Sequence, residues 1–430
     1  MNKKIVSLIL SVGMIVSLTA CGGTEKNDNS GTKKSSGETI RLLNGKIEID
    51  TALKKYAKEY EKKTGQKIEI ESIGGDSEAS TVLKGYVASD NIPDIFIFEI
   101  GSDMPFNEYM EDLSDCKFAS QTDYVYKDKD GKVLGFPYSI EGYGVTYNAD
   151  ILNKAGVDPA TLVNYKGWEE ALDTIEAKKD ELGLSAVCSV AAESGGMWWS
   201  CATHLWGYYV SGGLKPGDTT NLDKIWKGEL SNDRLLQFAK FTNMLFDHSD
   251  QNVLVSGSYD DQLALFAQGK AAFITQGNWI DPELPNYDVN FGLGIAPYAF
   301  TEEDMIGIES DAPSFWAINK KSKNVDACKE FLDEIALSED GQNCLVKEGG
   351  LISPFKDTKV EVDLPLAKAV NSYVENGNTY PWIHFASPDG LSNNILAPAF
   401  ELMAKDELDP QGFVDTLDKN VADYVSKNEK

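Results

Sequence analysis

Asp94-Ile95-Phe96-Ile97-Phe98 is a continuous apolar run behind a single carboxylate. A strand apolar on both faces is buried on both, as in parallel sheets covered by helices. Working back from it, Ser80 to Ser89 predicts a helix, and Ile68-Glu69-Ile70 alternates as a strand. Gly65 closes a helix over Asp50 to Lys63, whose Leu53, Tyr56, Ala57 and Tyr60 share one face. Thr39 to Leu43 supplies the first strand. Strands alternating with helices imply an open α/β sheet, which binds ligands at the carboxyl ends of its strands. Working forward, the alternation resumes around Val145, Val187, Ala272 and Phe315. The C-terminal third predicts helices over Val325–Ala336, Ser338–Lys347, Leu364–Glu375, Leu391–Lys405 and Pro410–Ser426. No repeat at a solenoid period is visible.

The 430 residues allow two or three domains, and 42% hydrophobic with 25% charged residues is a globular composition. Mean hydropathy is −0.30. Sixty-eight acidic residues outweigh 40 basic ones, a net charge of −28. Such a chain is repelled by nucleic acid and by anionic lipid, whereas a neutral or cationic ligand is compatible with it.

Met1-Asn2-Lys3-Lys4 is a basic start, and Ile5 to Val16 is an apolar stretch too short to span a bilayer comfortably. Leu18-Thr19-Ala20-Cys21 follows and resembles the lipobox of bacterial lipoproteins. The expectation is cleavage after residue 20, acylation of Cys21, and anchoring at the extracellular face of the cell membrane; two acyl chains suffice for stable attachment. A plain secretory signal is the other reading. Residues 21–38, all small or polar after the cysteine, read as a flexible tether. Cys116, Cys188, Cys201, Cys328 and Cys344 remain, odd in number and without a CxxC spacing, so buried free thiols are expected. A Cys188–Cys201 or Cys328–Cys344 bridge is the alternative.

Several motifs fail on inspection. Asp128-Lys129-Asp130-Gly131 has Pro137 where a calcium loop needs its last ligand, and Asp130-Gly131 fits a hairpin turn instead. His204, His248 and His384 are isolated in sequence, so no metal or other cofactor is expected. There is no GxSxG and no Walker A, and nothing pairs a nucleophile with a base.

A set of landmarks does carry a resemblance. Pro93-Asp94-Ile95-Phe96, Gly135-Phe136-Pro137, Tyr147-Asn148, Gly269-Lys270-Ala271-Ala272-Phe273 and Gly277-Asn278-Trp279 look like the extracellular solute-binding proteins of ABC importers. So do Ala317-Ile318-Asn319-Lys320, Glu330-Phe331-Leu332 and Ser338-Glu339-Asp340-Gly341-Gln342. The landmarks run in that family's order, and the subgroup is the carbohydrate-binding type that includes maltose-binding protein. The resemblance implies two α/β lobes joined by a hinge, one from 39–143 plus 278–324 and the other from 144–277 plus 325–430. It further implies a monomer that closes on a carbohydrate, is recognised by the permease subunits, and needs no cofactor and no catalysis.

Sugars offer apolar CH faces and a rim of hydroxyls, so their sites combine aromatic plates with planar polar groups. By resemblance, Glu141 matches a ligand-binding glutamate, and Tyr143, two residues on, points to the same side of an extended segment. Trp279 occupies the family's Gly-x-Trp tryptophan, a sugar plate; a core tryptophan is the bland alternative. Glu193 lies where another ligand residue is expected. The segment 194–211 is longer than in maltose-binding protein and holds Trp198, Trp199, Trp206, Tyr208 and Tyr209, of which Trp198 and Trp199 are taken as the ligand pair. Phe98 and Glu99 fall where the family has an aromatic and an acid, although that acid has no clean counterpart. Lys46 is displaced by one from the family's lysine, and Trp382 matches a late aromatic. Those departures put maltose itself in doubt. A polyamine-binding importer component and a surface glycosidase are the competing functions.

Overall fold

The computed structural model describes residues 38–73, 79–100, 106–230 and 232–428; the expectations of a signal segment and of an acylated Cys21 lie outside them. Strands β1 (Ile40–Asn44), β2 (Ile68–Ser72) and β3 (Ile95–Glu99) pair in parallel, with β1 between the other two. Around them the sheet is completed by β4 (Tyr126–Lys127), β5 (Val133–Pro137) and a strand from far along the chain, Ser314–Ile318. The order is β2-β1-β3, then Ser314–Ile318, then β5-β4, and the late strand runs antiparallel to both neighbours. Gly65 ends the first helix, Asp50–Thr64, with φ of 80°, a left-handed position that suits a residue without a side chain. Asp130-Gly131 turns between β4 and β5, and Gly131 again has positive φ, at 83°.

A three-stranded sheet follows, with β6 (Glu141–Tyr143) against Ile308–Asp311 and that strand against Thr379–Tyr380. A third sheet joins β7 (Val145–Asn148), β8 (Cys188–Ser189), β9 (Phe273–Ile274) and β10 (Leu293–Ala296) in the order β10-β7-β9-β8. Numbering in chain order, Ile308–Asp311 is β11, Ser314–Ile318 is β12 and Thr379–Tyr380 is β13. The expected C-terminal helices are present, with their register altered: Asn343–Glu348 and Ser392–Leu396 are π-helical turns.

The chain is a two-lobed α/β protein with two large apolar cores. One gathers Leu42, Phe96, Phe136, Trp316, Phe331 and Leu345 from 40–138 and 312–355. The other gathers Trp168, Tyr208, Phe238, Phe273, Tyr298, Phe400 and Phe413 from 143–300 and the C-terminal helices. A smaller cluster that includes Ile140, Ile280, Ile308, Ile352 and Val370 accompanies the segments that pass between the two. This packing differs from the expected division in two places. Ala296, Tyr298, Ala299 and Phe300 pack in the second core, since β10 pairs antiparallel with β7, while Leu293 and Ile295 face the smaller cluster. Residues 325–355 belong to the first, because β12 slots between β3 and β5 and delivers the helix Val325–Leu337 onto that sheet. All five cysteines of the described residues are buried free thiols, which burial holds above their ordinary pKa.

Candidate functional site

Two loops approach each other closely enough that glycine is required. A side chain on Gly142 would collide with Val370 at 2.4 Å, and one on Gly277 would meet the Gly142 carbonyl oxygen at 2.3 Å. The Gly142 N–H donates to Asn278 Oδ1 at 2.7 Å, which ties β6 to the loop that carries Trp279. Tyr208 Oη donates to the Tyr143 carbonyl at 2.7 Å and accepts from Glu309 N–H at 3.1 Å, fastening β6 to β11 from the other side.

On this frame Tyr143 and the half-buried Trp279 lie parallel, with ring centroids 6.0 Å apart and planes within 4°. The indole is oriented by a chain of amides: Trp279 Nε1 donates to Gln276 Oε1 at 2.6 Å, and Gln276 Nε2 to Gln262 Oε1 at 2.7 Å. His204 stands 4.9 Å from both the Tyr143 and Trp279 rings. Trp199 and Trp382 meet the same imidazole edge-on, each at 5.4 Å. Trp382 is held in place by its backbone N–H, which donates to Asp311 Oδ2 at 3.2 Å. Burial pushes the His204 pKa down to about 3, so the ring is neutral at physiological pH.

The cluster has a charged flank. Glu141 is buried and forms an ion pair with Lys46, which also reaches Glu48 at 3.3 Å. Burial alone would lower the Lys46 ammonium, but the Glu141 and Glu48 carboxylates outweigh it and hold the pKa well above the ordinary lysine value. Tyr259 packs against Trp199 at 6.1 Å and donates to Glu283 Oε1 at 2.6 Å. Burial raises Glu283 above its ordinary value.

Of the residues expected at the site, Glu141, Tyr143, Trp199, Trp279 and Trp382 are thus drawn toward one region. The other four have these surroundings. Phe98 is inside the first core, stacked on Phe315 at 5.4 Å and edge-on to Tyr126 at 4.9 Å. Glu193 turns back on its own loop: its carboxylate accepts from the N–H groups of Gly195 and Gly196, each at 2.7 Å, and of Met197 at 3.2 Å. Trp198 is half-buried against the second core. Glu99 ends β3 in solvent and accepts from Ser314 Oγ at 3.4 Å. Among the described residues, no group of three or more His, Cys, Asp or Glu side chains could hold a metal ion.

His204 itself was not expected here, since isolation in sequence argues only against a metal. The available signal is the five-residue step from Trp199. Ser200–Leu205 is a π-helical turn, which brings i and i+5 together where an α-helix would bring i+4.

The chain is similar to known proteins over most of its length. The family model for bacterial extracellular solute-binding proteins matches residues 44–342. A multiple sugar-binding protein of Streptococcus mutans is 25% identical over 420 residues, covering 90% of this chain and 91% of that one. A melibiose/raffinose/stachyose-binding protein of Bacillus subtilis is 23% identical over 422 residues, with 94% and 93% covered. A solved sugar transporter structure from Bacillus licheniformis, in complex with stachyose, superposes with a TM-score of 0.69 at 18% identity, covering 89% of this chain and 99% of that one.

Proposed function

The chain belongs to the bacterial extracellular solute-binding proteins, and we propose that it captures a neutral oligosaccharide for an ABC importer and presents it to the permease subunits. The observation that carries this reading is the set of rings from four separate chain segments around His204, flanked by the Lys46–Glu141 pair. Aromatic faces suit the CH faces of a pyranose, and the flanking polar groups suit its hydroxyls. A polyamine would need carboxylates free to pair with it, whereas Glu141 is already neutralised by Lys46.

The first lobe comprises residues 39–138 and 312–355, and the second comprises 143–300 with the C-terminal helices. Segments near Ile140, Ile308 and Ile352 serve as the hinge, and the protein works as a monomer that closes on its ligand. Acylated Cys21 holds it at the extracellular face of the membrane; Cys21→Ser should free it from the membrane fraction, and unchanged retention with normal processing contradicts the anchor. A thermal-shift screen over stachyose, raffinose, maltotetraose, spermidine and putrescine tests the ligand class. A native-state ligand at about 100 times its Kd stabilises by about 2.7 kcal/mol, so a rise in Tm with a sugar supports the reading. A rise with the amines alone overturns it.

A further inference from the structure

The three histidines of the chain are treated very differently by their surroundings. His248 Nδ1 lies 2.8 Å from the Met244 carbonyl, and its other side faces Asp173 at 4.0 Å. His384 is buried beside Glu309, 3.8 Å away, and both of its ring nitrogens are also without a hydrogen-bond partner among the described residues, but it is enclosed where His204 is partly exposed. His204 alone combines partial exposure with a buried Nδ1 that meets no hydrogen-bond partner among the described residues. A buried polar atom left without a partner costs about 1–3 kcal/mol, so such an atom in a native fold calls for an explanation.

The rings that touch His204 repeat the pattern. Tyr143 Oη and Trp382 Nε1 are also buried without a partner among the described residues, although both side chains are almost fully enclosed. The same region therefore holds, beneath its surface, a hydroxyl, an indole N–H and an imidazole nitrogen among aromatic faces. Packing alone does not require this chemistry: a phenylalanine at 204 would fill a ring-shaped space with no orphaned nitrogen. A neutral imidazole offers one donor and one acceptor. A sugar hydroxyl does the same, so one can satisfy the other in either tautomer.

We propose that His204 is a ligand-contacting residue of the sugar site, its imidazole hydrogen-bonding a hydroxyl of the bound oligosaccharide. The assignment rests on the oligosaccharide reading above. His204 is delivered to the cluster by the π-helical turn Ser200–Leu205, a kind of local widening found frequently at functional sites.

The test uses the full chain labelled with 15N-histidine, whose imidazoles are assigned by single substitution, with raffinose, stachyose and maltotetraose as probes. Saturating sugar should shift the His204 ring nitrogens while those of His248 stay in place. In parallel, calorimetry should show His204→Phe binding about tenfold more weakly than the wild type, the loss expected when one hydroxyl contact goes unmade. His204→Gln, which keeps a donor and an acceptor, should recover part of that loss. Should His204→Phe fail to fold, the wild-type spectra and the His204→Gln titration decide the matter. Sugar binding with unmoved His204 signals, or with unchanged affinity in His204→Phe, overturns the assignment and leaves the oligosaccharide reading intact. No binding of any of the three sugars by the wild type overturns that reading, and the assignment with it.

Discussion

Phe98 lies near the end of one short apolar strand and Trp279 beyond the end of another, and both were expected as aromatic plates, yet they have opposite surroundings. Phe98 lies within β3, and its neighbour across the sheet is Phe315 of β12. Gly135 of β5 comes so close that a side chain there would meet the Phe98 ring at 2.9 Å. Every face of that ring is occupied by protein. Trp279 stands beyond the end of β9, in a loop fixed by Asn278 and Gln276, and keeps part of its surface exposed. Inside a sheet, a ring is claimed by cross-strand partners; one turn past the strand, it can be oriented by hydrogen bonds and still offer a face to a ligand.

The largest effect should come from breaking the buried side of this contrast. Phe98→Ala is expected to cost about 3–5 kcal/mol in a denaturant melt, as for other large aromatic truncations in cores. The folded fraction should keep sugar affinity near that of the wild type. A strong loss of affinity in a stably folded mutant would return Phe98 to the site.

Next comes a pH effect confined to the Trp279 side. Asp281, two residues beyond that ring, accepts the Ala367 N–H at 2.8 Å, and burial raises its pKa to about 7. A carboxyl whose folded pKa exceeds its unfolded value favours the fold most below the unfolded pKa, near 4, and that contribution is lost as pH rises through about 7. Since one pKa unit is about 1.4 kcal/mol, the span is on the order of 4 kcal/mol at most. Urea melts of Asp281→Asn should show a flatter profile between pH 4 and 7 than the wild type; parallel profiles would remove Asp281 as the cause.

A smaller effect is expected at Glu193. Its carboxylate closes the loop 193–197, so Glu193→Ala should cost about 1–2 kcal/mol of stability without weakening sugar binding. A tenfold loss of affinity with unchanged stability would mean that the carboxylate leaves its loop for the ligand.

The alternation of strand and helix over 39–98 was legible in the sequence because each element carries its own period: four apolar residues on one face of Asp50–Thr64, and an uninterrupted run in β3. The hairpin at Asp130-Gly131 was legible from its turn chemistry. The core against which 325–355 packs was not, because it depends on β12 inserting between strands that lie more than 170 residues upstream, and no local pattern encodes that pairing. At the proposed site, Glu141, Tyr143 and Trp279 were candidates from the short segments around them, and the structure brings Tyr143 and Trp279 face to face. Glu193 was not, since a carboxylate two residues before Gly195-Gly196 can serve either a ligand or its own loop. His204 stayed hidden because helical spacing at i+3 and i+4 gives no warning of a π-turn that stacks i+5.

The central claim is that a neutral oligosaccharide binds against the rings around His204, and calorimetry of Trp279→Ala with the sugar that most stabilises the wild type tests it most directly. Truncating a central aromatic anchor commonly costs about 2 kcal/mol or more of binding energy, so affinity should fall roughly 30-fold or more. The denaturant midpoint should move less than in Phe98→Ala. Wild-type affinity in Trp279→Ala, together with a loss of stability as large as that of Phe98→Ala, would contradict the account and make Trp279 a core residue like Phe98.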